Sequence, residues 1–167
     1  NAGGGNDTVN GNSGANNLSG EAGNDNLSGN DGNDILNGGL GDDILDGGDG
    51  NDTAVFSNVA NQINLGIFSS QNTGDGNDTL TSIENVNAGG GNDTVNGNSD
   101  ANILNGQSGD DTLFGKTGDD VINGGDGNDT AVGAAGADHL NGGSGDDALF
   151  GNVGDDIING GDGNDTA

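Results

Sequence analysis

The 167-residue chain contains no Cys, Pro, Met, Trp or Tyr and only 4 Phe. Without cysteine there is no disulfide frame, thiol chemistry or zinc knuckle, and so few aromatic rings offer no platform for stacking nucleic-acid bases. Positive charge is nearly missing too: one Lys or Arg stands against 28 acidic residues, for a formal net charge of -27. That balance excludes nucleic acid and anionic membrane surfaces as direct partners and leaves cations. No run approaches the roughly 20 apolar residues of a membrane span, so no transmembrane segment is expected. Collagen is excluded because Pro is absent and Gly does not recur at every third position. Val, Ile, Leu and Phe total only 32 residues, and so little apolar material under so much charge is the composition of a chain that does not fold unaided. Asn1-Ala2-Gly3 provides neither an initiator Met nor a charged and apolar signal region, so the chain reads as a piece of a longer protein.

What is abundant is glycine, 39 residues of it, set in a nine-residue frame. From Ala2 to Val55 the units are AGGGNDTVN, GNSGANNLS, GEAGNDNLS, GNDGNDILN, GGLGDDILD and GGDGNDTAV. The frame returns once as TGDGNDTLT (Thr73 to Thr81), then runs unbroken from Ala88 to Ala167. Fixed-period self-similarity of this kind builds a repeat architecture. Position eight is aliphatic in every unit, from Val9 and Leu18 to Ile158 and Ala167. One apolar residue with its two neighbours makes a three-residue strand, too short to stand alone, so its partners must lie in units stacked above and below. The other six residues, of the form GGxGxD, read as a turn. Two units close an 18-residue coil with the aliphatic side chains inside, giving a flattened parallel solenoid with two sheets and turns along both edges.

Position six is Asp7, Asp25, Asp34, Asp43, Asp52, Asp78, Asp93, Asp111, Asp120, Asp129, Asp138, Asp147, Asp156 and Asp165, with Asn16 and Asn102 as exceptions. Residues 18 apart fall in adjacent coils on one edge, about 4.8 Å from each other. Like charges are thus stacked in columns: Asp7, Asp25, Asp43 and Asn16, Asp34, Asp52 in the first block, then Asp93, Asp111, Asp129, Asp147, Asp165 and Asn102, Asp120, Asp138, Asp156 in the second. Each neighbouring pair costs on the order of 1 kcal/mol even at water's dielectric, and about ten such pairs rival a domain's whole stability. The fold needs a counter-ion. Carboxylates and exposed carbonyls offer the all-oxygen set that suits calcium.

These units resemble the RTX (repeats-in-toxin) glycine-rich nonapeptide family, whose pattern is GGxGxDxUx. The resemblance covers the chain except Phe56 to Asn72 and Ser82 to Asn87. It implies an all-β parallel β-roll, a right-handed β-solenoid, with calcium in the turns of both edges. It also implies that each ion sits between turns of successive coils, held by the position-six Asp of both and by carbonyls of the glycine-rich segments. On this chain those segments carry Gly3, Gly5, Gly23, Gly32, Gly39, Gly41, Gly48, Gly50, Gly109, Gly118, Gly125, Gly127, Gly143, Gly145, Gly154, Gly161 and Gly163. One ion per gap gives about 11 calcium ions, which would bring the charge to about -5, ordinary for a soluble domain. The position-five residues Asp42, Asp110, Asp119, Asp146 and Asp155 are expected to face outward or to support the ligands.

The resemblance further implies a secreted bacterial protein exported by a type I apparatus, folding outside the cell where calcium is plentiful. The expected function is therefore a non-enzymatic calcium-binding module, monomeric as this piece, with any catalytic domain elsewhere in the parent. The alternative is a structural or adhesive rod of a surface-layer, adhesin or ice-contacting protein. Three segments are expected: repeats at 1–55, irregular coils at 56–87 and repeats at 88–167, joined as one rod. Phe56 to Asn72 is close to one coil long, with Val59, Ile63, Leu65, Ile67 and Phe68 as its apolar material, and reads as an ion-free coil or a side excursion. Around Ile83 and Val86 the coil edge is expected to tighten, with core packing in place of metal. His139 alternates outward beside Leu140 and has no His or Cys to join it; Lys116 reads as a solvated turn residue. Ser and Thr have no basic partner, so nucleophilic catalysis lacks its machinery.

Overall fold

Because side chains alternate along an extended strand, positions six, eight and one of successive units point the same way. Asp25, Leu27 and Gly29 are buried, whereas Asn24, Asn26 and Asn30 are exposed. The computed structural model, covering residues 1–167, repeats this inward triplet as a parallel β-solenoid of about nine turns with about 18 residues per turn. The strands are β1 (Gly3–Gly4), β2 (Thr8–Asn10), β3 (Asn17–Ala22), β4 (Asn26–Asp31), β5 (Ile35–Leu40), β6 (Ile44–Asp49), β7 (Thr53–Val55), β8 (Gln62–Asn64), β9 (Gln71–Asn72), β10 (Asn77–Thr81), β11 (Asn85–Asn87), β12 (Thr94–Asn96), β13 (Ile103–Ser108), β14 (Thr112–Thr117), β15 (Val121–Asp126), β16 (Thr130–Ala135), β17 (His139–Ser144), β18 (Ala148–Val153) and β19 (Ile157–Asp162). No helix of the fold is long and apolar enough to cross a membrane.

Most strands are six residues long, not three. Ile103, Leu104 and Asn105 pair with Val121, Ile122 and Asn123, Gly106 is skipped, and pairing resumes with Gln107 and Ser108 against Gly125 and Asp126. The chain bends at position one and adopts positive φ at position two, as at Gly125 (123°) and Lys116 (82°), without leaving the ladder. The turn proper shrinks to three residues, such as Gly109 to Asp111 between β13 and β14. Lys116 consequently lies in a strand, half-buried, with its Nζ 3.4 Å from Asn64 Oδ1. His139 is exposed, as its alternation requires.

One face is a nine-stranded sheet, β1-β3-β5-β7-β11-β13-β15-β17-β19, that runs the whole length. The opposite face is divided: β2-β4-β6-β10 and β8-β12-β14-β16-β18. The middle segment makes the division. After β7 the chain crosses to β8, which pairs with β12 ahead of it. It then returns through an antiparallel β9–β10 hairpin, and β10 pairs with β6 behind it. Phe56, Ile63, Leu65, Ile83, Val86 and Ala88 join the leucine column in a single core cluster of 19 buried residues. Val59 (43% exposed) and Phe68 (71%) do not join it, and Ile67 (39%) lies outside too. Val59 lies in the loop before β8, and Ile67 and Phe68 in the loop after it, so none of the three is held in a ladder.

Candidate metal centres

From Asp25 onward, each position-six aspartate reaches back along the edge to the coil before it. The backbone N–H of Asp25 donates to Asp43 Oδ1, Asp111 to Asp129 and Asp129 to Asp147, each at 2.8 Å. Asp7, Asp34, Asp93, Asp120, Asp138 and Asp147 donate in the same way to Asp25, Asp52, Asp111, Asp138, Asp156 and Asp165. One carboxylate oxygen is thereby committed to the backbone. The other, Oδ2 of Asp7, Asp25, Asp34, Asp43, Asp52, Asp93, Asp111, Asp120, Asp129, Asp138 and Asp147, is buried and has no hydrogen-bond partner. A buried carboxylate oxygen left unpaired costs on the order of 1–3 kcal/mol or more, and eleven of them in one small fold demand a positive counter-charge.

The glycine at position one makes room for that oxygen. A Cβ on Gly20 would strike Asp25 Oδ2 and lie 2.6 Å from the carbonyl oxygen of Gly38 in the next coil. Gly29, Gly106, Gly124 and Gly142 stand in the same relation to Asp34, Asp111, Asp129 and Asp147. Carboxylate and carbonyl oxygens therefore converge over these five position-one glycines, a hard-oxygen cradle of the kind calcium takes. No group of three His, Cys, Asp or Glu side chains converges anywhere, so backbone carbonyls would supply much of any coordination shell. The position-one glycines were not singled out by the sequence reading, although Gly fills that position in thirteen of the sixteen units. The seventeen glycines that were singled out occupy positions two and four, and all have positive φ.

Burial opposes the charged form of these acids. It pushes Asp43, Asp120 and Asp129 up to about 6 and Asp111 up to about 7, and repulsion from neighbouring carboxylates adds to the rise. Asp52, Asp78, Asp93, Asp138 and Glu84 are raised for the same leading reason. The position-five side chains form a second, exposed ladder running the other way. Asp110 Oδ1 accepts from the N–H of Asn128, and Asp119 and Asp146 from Ala137 and Asn164. Backbone hydrogen bonding from Asn77 lowers the Asp42 pKa.

In the middle the columns continue through Asp78, a position-six residue of the frame, and through two residues that the frame hides. The N–H of Asp43 donates to Asp78 Oδ1, whose other oxygen accepts from Thr73 Oγ1. Glu84 takes the place of a position-six Asp, its Oε2 accepting from Asp52 N–H at 2.8 Å. Asn61 takes that place before β8, its N–H donating to Asp93 Oδ1 at 2.7 Å. Ile83 is buried, so the tightened edge does pack a core residue, yet a carboxylate sits beside it. Asn16 and Asn102 turn their Oδ1 to their own turns, accepting from Asn12 and Asn98 N–H at 2.7 and 2.9 Å. Asp156 and Asp165 lie in the last coil and are less covered.

The sequence profile of the RTX calcium-binding nonapeptide repeat (4 copies) matches residues 1–36, 19–54, 81–113, 105–140 and 132–167. The chain belongs to the RTX calcium-binding nonapeptide repeat family. It is a calcium-binding repeat module on a structural β-solenoid. A search of curated proteins returns no match. In this RTX module the unpartnered Oδ2 atoms and their glycine cradles fit a calcium ion by chemistry as well as by family.

Proposed function

We propose that the RTX module is a non-enzymatic folding device of a secreted bacterial protein. It is disordered where calcium is scarce and folds outside the cell as calcium fills the turns, after export by a type I apparatus. The observation that carries this reading is the set of buried, unpartnered Oδ2 atoms. Without a cation the stacked carboxylates oppose folding; with one, binding energy becomes folding energy. The position-six aspartates of both edges are the proposed side-chain ligands, with carbonyls of the glycine-rich segments completing the shell.

A number near eleven ions is supported by the eleven orphaned oxygens. Their membership differs from the eleven gaps counted along the sequence. The orphans include Asp43 and Asp52, whose partners are Asp78 and Glu84, while the gaps below Asn16 and Asn102 carry no orphan. The adhesive or ice-contacting rod is not favoured by the family match.

Circular dichroism in chelator and then in millimolar calcium tests the proposal. The expected outcome is little β-signal in chelator and a cooperative gain with calcium. Equal β-content in both conditions would overturn it.

A further inference from the structure

We propose that Asn61 stands in for a cation at one rung of the ladder. Its amide nitrogen clips two turns together without metal, and replacing it with Asp turns that rung into a calcium site. The inference rests on the calcium-binding reading above.

Asn61 is fully buried. Its Nδ2 lies 2.6 Å from Val59 O, 2.8 Å from Ala88 O, 3.2 Å from Ser57 O and 3.2 Å from Asp93 Oδ1. An amide nitrogen has two N–H bonds to give, so four oxygens crowd around two donors. Such a cluster of oxygens calls for a positive centre. The oxygens come from two stacked turns: Ser57 and Val59 precede Asn61 in one, while Ala88 and Asp93 hold positions one and six of the next coil. The same relation recurs where Asp stands in place of Asn. At Gly20 the position-six oxygen of Asp25 meets the position-one carbonyl of Gly38 in the following coil. There the carboxylate oxygen is unpartnered, whereas here the amide's own partial positive charge faces the carbonyls.

The neighbouring rungs follow the same design. Thr73 Oγ1 donates to Asp78 Oδ2, the atom left free in most other rungs. Asn102 Nδ2 donates to Glu84 O at 2.8 Å and to Asn98 Oδ1 at 3.1 Å. Neutral donors thus gather where the divided face joins. The opposite orientation, in which Asn61 ligates an ion through Oδ1, would use the one atom of the amide that has no partner. The two orientations differ in how many ions the protein holds.

The test is a calorimetric titration of the whole chain with calcium chloride, comparing wild type, Asn61→Ala and Asn61→Asp, with circular dichroism as a check on folding. The alanine variant is expected to bind the wild-type number of ions with a folding equilibrium weakened about fivefold for the lost amide bonds. The aspartate variant is expected to fold in saturating calcium and to bind one ion more than wild type. One ion fewer in Asn61→Ala would make Asn61 a ligand and overturn the proposal. An unchanged count in Asn61→Asp, or its failure to fold in saturating calcium, would overturn it too. If the alanine variant does not fold, the aspartate variant decides alone. Wild type taking up no calcium is a separate failure, that of the calcium reading beneath.

Discussion

At the scale of the residue, the nonapeptide separates two kinds of glycine. Position two needs a left-handed backbone, and six units meet that need with Glu21, Asn30, Gln107, Lys116, Ala134 or Asn152 at φ between 70° and 82°. An L-residue there carries strain of roughly 1–2 kcal/mol, partly offset by the greater flexibility of an unfolded glycine. Ala134→Gly is therefore expected to stabilise the calcium-loaded fold by about 0.5–1 kcal/mol, read as a lower calcium midpoint. Position one needs the space that a Cβ would take. Gly124→Ala would drive its Cβ into Asp129 Oδ2 and within 2.7 Å of Gly142 O. It should cost about 2 kcal/mol or more and remove an ion, and an unchanged calorimetric stoichiometry would argue against the cradle. Asp129→Ala is expected to lose more calcium than Asn102→Ala. Asp129 serves the coil before it through Oδ1 and has a free Oδ2, whereas Asn102 spends its oxygen on its own turn.

At the scale of the element, the irregular middle behaves as a splice. It gives β8 to the second block before returning β10 to the first, and β11 pairs with β7 and β13 on the undivided face. Each block's second-face sheet therefore ends on a strand from the middle, and the cores share one apolar cluster. We expect the calcium-loaded chain to scatter as one rod about 45 Å long, at ~4.8 Å per coil. Limited proteolysis should find its cut at the exposed tip near Phe68, and the cut chain should stay together until calcium is removed. Two separately stable halves released with calcium bound would show that the splice does not hold.

At the scale of the whole molecule, charge governs when the fold exists. Asp43, Asp111, Asp120 and Asp129, raised by burial to about 6 or 7 from an ordinary 3.8, hold protons in the ion-free fold that the unfolded chain has already released. The fold without calcium therefore gains stability as pH falls. That contribution is complete below the unfolded value near 3.8 and is lost as pH rises through 6 and 7. In chelator, β-signal at pH 5 should exceed that at pH 7.5. With calcium present the sign reverses, because protons compete for the same oxygens, and a site titrating near 6 should bind about tenfold more weakly at pH 5. Circular dichroism and calcium titration at both pH values check this pair of signs, and a pH-independent calcium midpoint would contradict it.

The sequence by itself determined the coil. A nine-residue period with one aliphatic position and one acidic position dictates parallel stacking, the leucine column and the need for a cation, since each follows from spacing and charge alone. The extension of each strand to six residues was not legible, because pairing past a glycine depends on backbone angles that the letters GGxG allow but do not impose. Nor were Glu84 and Asn61 legible as position-six residues. Their turns break the nine-residue frame, and only the pairing of β11 with β13 and of β8 with β12 brings them into the columns. Nor did apolar character separate Ile63 and Leu65, which enter the core, from Val59, Ile67 and Phe68, which do not. The tertiary structure decided it, because Ile63 sits in β8, which is hydrogen-bonded to β12 with Leu65 just beyond, while the other three lie in the loops on either side.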